Sequence, residues 1–296
     1  MSALRQYLGE RARFAAPLAP RTTWGVGGPA WCLCRVDSAA ETAWVRREAA
    51  RHGVACRVLG RGSNLLVSDA GFAGVLLLLK GDLARIKVLD DGLQAGGGAH
   101  LPALVKLAAR KGLAGLEWAA GIPASLGGAI AMNAGAAGGS ISAILAEVEL
   151  LLANGGQFLA GPRDLKPGYR RGGLPRGSLV LGARLKLTPD QPQAVAERTR
   201  AVLARRTASQ PLGAATAGCV FRNPAGDYAG RLIEAAGCKG WREGGAVVSS
   251  RHANFIENAD GATAAQVLAL MERVRRQVRQ VSGVDLEPEV EVLGDV

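Results

Sequence analysis

Two glycine-rich segments carry the residue types that hold a phosphate or a flat ring. The first is Gly60, Arg61, Gly62, Ser63, Asn64 and Leu65 in VLGRGSNLLVSD, directly after the strand-like ACRVLG. Small residues there expose main-chain N–H groups and leave room for a pyrophosphate. The segment is not a dinucleotide fingerprint, because Leu65 stands where G-x-G-x-x-G has its third glycine and no helix pattern begins after it. The second segment, GIPASLGGAIAMNAG over 121–135, contains Gly121, Ile122, Pro123, Ser125, Gly127, Gly128, Asn133 and Gly135. So little side-chain bulk suits a backbone lying against a flat ligand.

The elements around these segments are short strands and amphipathic helices. SAAETAWVRREAARHG opens on a capping box, Ser38 with Glu41, and stops at Gly53, which predicts a helix. A second helix is expected from Leu101 to Lys111, with Pro102 in its first turn and Gly112 at its end. Residues 146–153 and 157–160, joined through Asn154-Gly155-Gly156, read as a hairpin, and 178–187 as another strand. After TPDQP the pattern turns helical through Arg206, then near 228–236. Val267, Leu270, Val274, Val278 and Val281 predict a helix over 263–281, and 285–293 alternates as a strand. The expectation is an α+β chain of three parts: an N-terminal helical segment over 1–20, a strand-rich domain over 21–188 and a smaller domain over 189–296.

Composition narrows the function. The 296 residues are 48% apolar and 21% charged, which excludes a disordered chain or a fibre. The longest run of large apolar residues, 75–79, is far below the roughly 20 residues of a membrane span. No apolar stretch follows the N-terminal charges to serve as a signal core, so a cytoplasmic protein is expected. Five cysteines without metal-ligand spacing argue for free thiols and no metal site. Net charge is +11, but the basic residues are scattered, which favours an anionic small molecule over nucleic acid.

In this order the strings become recognisable. VLGRGSNLLVSDAGFAG, GLEWAAGIPASLGGAIAMNAGA, GYR at 168–170, AGCVFRNP at 217–224, AGRLIEAAGCKG at 229–240, GGAVVSSRHANFIEN at 244–258 and LEPEV at 286–290 resemble the UDP-N-acetylenolpyruvoylglucosamine reductase family, flavoenzymes of peptidoglycan precursor synthesis. The resemblance spans residues 21–294. It implies a vanillyl-alcohol-oxidase type FAD domain followed by a substrate-binding domain; a monomer is expected, with neither nucleic acid nor membrane as partner. It also implies FAD as cofactor, NADPH as co-substrate and UDP-N-acetylglucosamine enolpyruvate as substrate. FAD would meet the two glycine-rich segments, and Tyr169, Arg222, Asn223 and Lys239 would meet the substrate. Another FAD-dependent oxidase or dehydrogenase of this fold, acting on an alcohol or sugar, is the alternative; it leaves AGCVFRNP and GGAVVSSRHANFIEN unexplained.

The family's reaction delivers hydride to the β-carbon of an alkene conjugated to a carboxylate. Negative charge then builds on the α-carbon and carboxylate, which calls for hydrogen-bonding groups and an acid. Arg170, Cys219 and Glu289 match the family's catalytic positions, with Arg170 and Glu289 at the carboxylate and Cys219 donating the proton. Without the resemblance Arg170 reads as a solvated arginine, Glu289 as one of several outward acids and Cys219 as an apolar filler. Many relatives carry serine at the Cys219 position; a thiol, ordinarily near pKa 8.5, is the stronger acid. Gly25, Ala124 and Gly172 also depart from the usual residues. The short stretch after Gly168-Tyr169-Arg170 resembles the family's shorter type, without an extra substrate-covering segment. His252 and Asn254 stay open between a functional and a structural role.

Overall fold

The computed structural model describes residues 2–295. Its contacts divide the chain into two compact units, one of Met1–Phe14, Cys32–Arg61 and Gly74–Arg206, the other of Ala15–Trp31, Gly62–Ala73 and Thr207–Val296. The division differs from a cut near Thr188, for a packing reason. Trp24 is fully buried in the second core, its Nε1 donating to Ile256 O at 2.7 Å, while Val202 joins the first core.

The first unit holds α1 (Ser2–Leu8), α2 (Ala39–Arg51), α3 (Leu101–Lys111), α4 (Leu126–Ala131), α5 (Ile141–Ile144) and most of α6 (Pro192–Ser209). Its main sheet is antiparallel, in the order Gln157–Ala160, Leu145–Leu151, Leu179–Lys186, Gly92–Gly96, Ile86–Leu89. The core includes Leu104 and Ala108 of α3, Leu126 and Ile130 of α4, and Val148, Leu150 and Leu185 of the sheet. Helix α3 ends as expected on Gly112, whose φ of +64° is left-handed. The expected hairpin forms, with Leu151 opposite Gln157.

The N-terminal segment is helical only as far as Leu8 and a short turn. Ala12–Pro17 is a strand, because Ala12 and Ala16 are buried while Arg13 and Ala15 are exposed. At α2 half of the expected box forms: Ser38 Oγ accepts from Glu41 N at 3.2 Å, but Glu41 Oε2 takes Asp37 N at 2.7 Å. The Glu41 carboxylate also grips Arg11 with two bonds, of 2.8 and 2.9 Å.

That bidentate bond holds the Glu41 carboxyl below its ordinary value of 4.5. The folded chain therefore binds this proton less readily than the unfolded chain, so the contribution is complete above the ordinary value and fades as pH falls through the lowered one. Glu41→Gln should lower Tm at pH 7, with the gap to the parent closing as pH drops below about 4. A gap that stays constant from pH 7 to pH 3 would remove this pair as a source of acid sensitivity.

The second unit carries α7 (Ala229–Ala235), α8 (Ala264–Ser282), an antiparallel sheet of Arg242–Glu243, Ala246–Val248 and Ile256–Asn258, and a parallel pair of Leu65–Val67 with Glu291–Leu293. Val267, Leu270, Val274 and Val278 face the core, as the helical spacing predicts, whereas Val281 is 55% exposed. Thr263 and Gln266 form a complete capping box, and the Asp69 carboxylate accepts from Ala264 N and Ala265 N. The strand expected over 285–293 is confined to Glu291–Leu293. Pro288 has no N–H to give a ladder, and its neighbours pair instead with 220–222.

Candidate active site

In the first unit a tight turn presents the Tyr169-Arg170 pair. Gly168 N donates to Arg171 O at 2.8 Å and Arg171 N to Gly168 O at 3.1 Å, which forces Arg170 to φ +56°. A non-glycine residue held there stores about 1–3 kcal/mol, so the surrounding bonds must over-determine it. Two of them come from the second glycine-rich segment: Arg170 Nη1 donates to Gly135 O at 3.0 Å, and Asn133 Nδ2 to Gly168 O at 2.9 Å. Asn133 Oδ1 accepts from Ser142 N at 3.2 Å. Asn133 and Gly135, expected at the cofactor, thus hold the arginine turn. The Arg170 guanidinium lies 5.1 Å from the Tyr169 ring centroid, and Tyr169 is 54% exposed.

Gly172 is buried; its N–H donates to Ala131 O at 2.9 Å, and a Cβ there would come within 3.0 Å of Ile130 O. The usual serine has no room in this backbone, which accounts for the departure. Ser125 caps α4, accepting from Gly128 N at 3.3 Å. A Cβ at Gly60 would lie 2.5 Å from Ser125 Oγ, so the two glycine-rich segments meet at this hydroxyl. Gly121 is left-handed at φ +80°, Ile122 N donates to Ala119 O, and Arg61 and Pro123 are exposed. Gly127 N donates to Gly97 O at 2.8 Å and Gly97 N to Leu181 O at 2.7 Å, so the run Gly96-Gly97-Gly98 positions this segment. Sequence reasoning misses that run, although three successive glycines are a visible signal for it.

In the second unit Gly62 has φ +61° and accepts from Thr23 N at 3.2 Å, and Ser63 is half-buried. Leu65 opens the strand paired with Glu291. Asn64 turns its side chain toward protein, Nδ2 donating to Glu289 O at 3.1 Å, while its own carbonyl accepts from Glu291 N. Glu289 N donates to Val220 O at 2.8 Å and Arg222 N to Glu287 O at 2.8 Å. The segments carrying Cys219 and Glu289 therefore run side by side. Cys219 is half-buried, preceded by Gly218 at φ +81° and bridged to Phe255.

The expected substrate residues of this unit have protein partners. Arg222 lies 3.4 Å from Glu287, its Nε buried without a hydrogen-bond partner. Asn223 Oδ1 accepts from Ala229 N at 3.0 Å at the start of α7, and Lys239 pairs with Glu234 at 2.6 Å. Asn254 is 1% exposed and bonded to the Phe221 backbone through both amide atoms. His252 packs edge-on to Phe255, and burial pulls its pKa below 6.5.

FAD fits these residues. Among the described residues the main-chain N–H groups of 60–64 donate to no protein carbonyl, as an anion-holding loop requires, and Gly60 and Gly128 are exposed without side chains. The profile described as FAD binding domain matches residues 30–160, and that of the UDP-N-acetylenolpyruvoylglucosamine reductase C-terminal domain matches 210–293. A reductase of that name from Moorella thermoacetica is 45% identical over 94% of this chain and 92% of its own length. One from Alkalilimnicola ehrlichii is 43% identical over 100% and 99%. The chain belongs to the UDP-N-acetylenolpyruvoylglucosamine reductase family. A crystal structure of such a reductase from Thermus caldophilus superposes with TM-score 0.83 at 40% identity, covering 95% of this chain and 98% of that one. The family's fold, an FAD-binding domain of the vanillyl-alcohol-oxidase type with a C-terminal α+β domain, is thus the fold of this chain, and it is an FAD-dependent oxidoreductase. Among the described residues no helix is long and apolar enough to cross a membrane.

Proposed function

We propose that the chain reduces UDP-N-acetylglucosamine enolpyruvate to UDP-N-acetylmuramate, with NADPH as reductant, as a cytoplasmic monomer. The observation that carries this reading is the full-length likeness to reductases of that name, with both domain profiles in family order. Bound FAD, held by residues 60–65 and 121–135, supplies the hydride relay. The Arg170 guanidinium and Glu289 carboxyl flank the substrate carboxylate, where negative charge develops. Cys219 Sγ gives its proton to the α-carbon and regains one from water. Tyr169 and Asn223 contact the sugar nucleotide, and Arg222 and Lys239 supply positive charge for its diphosphate, which competes with Glu287 and Glu234 for them.

Anaerobic mixing tests the reading. Purified protein should be yellow, NADPH should bleach it, and the enolpyruvyl sugar nucleotide should restore the colour while gaining two hydrogens by mass spectrometry. Flavin reduced by an alcohol or sugar and indifferent to both NADPH and the sugar nucleotide would replace this function with an oxidase activity.

A further inference from the structure

The buried residue Asn254 has no place in the proposed chemistry, yet its bonds converge on one segment. Nδ2 donates to Phe221 O at 2.8 Å, Oδ1 accepts from Phe221 N at 3.0 Å, and the Asn254 carbonyl accepts from Val220 N at 2.9 Å. Its own N–H donates to His252 Nδ1 at 3.3 Å, and Phe255 N donates to His252 O at 2.9 Å, which closes the turn that carries it. Cys219 thus lies between a glycine with left-handed backbone, Gly218, and two residues pinned by Asn254. Nothing else among the described side chains bonds both polar groups of the Phe221 backbone.

We infer that Asn254 is a positioning residue that sets the Cys219 thiol for proton delivery. The inference rests on Cys219 being the proton donor. A general acid must sit within hydrogen-bond reach of its target, and a displacement of about 1 Å can cost on the order of 100-fold in rate. Replacing the amide frees the Phe221 backbone and lets the chain pivot at Gly218, so the thiol spends less time in place. Flavin reduction by NADPH needs no proton from Cys219 and should not notice.

The experiment measures both half-reactions by stopped flow in Asn254→Ala, Cys219→Ala, the double variant and Asn254→Asp. Asn254→Ala should slow the substrate half-reaction roughly 10- to 100-fold and leave reduction by NADPH within about twofold. The double variant should be no slower than Cys219→Ala, because the clamp acts only through the thiol. A protonated aspartic acid offers the same donor and acceptor as the amide, so the rate of Asn254→Asp relative to parent should rise as pH falls from 8 to 5.5. His252 accepts the N–H of residue 254, and Lys239 and Glu234 act on its charge, so the same ratio is measured in Asn254→Ala, where any acid dependence due to His252 itself shows and is subtracted. The aspartate variant also serves if the alanine variant does not fold.

An alanine variant slowed equally in both half-reactions, a double variant slower than Cys219→Ala by the full factor, or an aspartate variant without acid recovery overturns the positioning role while Cys219 stays the donor. Cys219→Ala with a parental substrate half-reaction overturns the donor role, and the inference with it.

Discussion

Cys219→Ala should slow the substrate half-reaction by roughly 100- to 10,000-fold, the scale of losing a general acid, while flavin reduction by NADPH stays nearly intact. The asymmetry follows from where a proton is consumed: only the conversion of alkene to saturated ether needs one at carbon. Cys219→Ser should keep substantial activity, since relatives use serine there, and should lose sensitivity to thiol alkylation. The other four cysteines make this readout clean, because Cys32, Cys34 and Cys238 are buried and burial pushes the Cys56 thiol up to about 12. An alanine variant that protonates product at the parental rate would take Cys219 out of the reaction. If both half-reactions fall together, the loop orders the flavin instead.

Gly62→Val should cost far more stability than Gly128→Val, although both glycines belong to the segments proposed to face the flavin. A Cβ at Gly62 would come under 3.0 Å from Arg21 O and 2.8 Å from Thr22 Cα, both backbone, and the φ of +61° is hostile to a β-branched residue. Strain of about 1–3 kcal/mol and overpacking of similar size should lower Tm by roughly 5–15 °C. FAD occupancy should fall with it. Gly128→Val separates the two causes: that position is exposed, has ordinary backbone, and its Cβ would lie 3.3 Å from Ser125 Oγ alone. It should keep Tm within about 3 °C, near the scale of a surface substitution, yet still lose flavin. Full FAD occupancy in Gly128→Val would remove that glycine from the cofactor surface.

Contiguous strings are enough to find both glycine-rich segments, the caps of α2 and α3 and the hairpin, because each is decided by neighbours a few residues away. Asn64 and Asn133 show where that ends. Their place in glycine-rich loops points each of them at the cofactor, yet each directs its amide N–H at a carbonyl, Glu289 O and Gly168 O, lying 225 and 35 residues further along. No local pattern encodes a partner so distant. Gly172 is similar: its lack of a side chain reads as a departure in the sequence and is a requirement of the Ile130 carbonyl beside it. The alternation over 285–293 misleads because period-2 burial and ladder bonding separate wherever proline enters, as at Pro288.

The chain passes between its two units five times, and this has a consequence for how the protein is made. Trp24 finds Ile256 232 residues later, and Asn64 waits for Glu289. During synthesis, the first unit has all its segments once Arg206 has emerged, whereas the second cannot close before its last strand, Glu291–Leu293. Until then Trp24, Val26 and Leu66 are apolar side chains without a core to enter. Such long-range closure is slow, and the interval leaves apolar surface open to association. At high expression rates the nascent second unit, rather than the finished enzyme, is the species that a chaperone must shield.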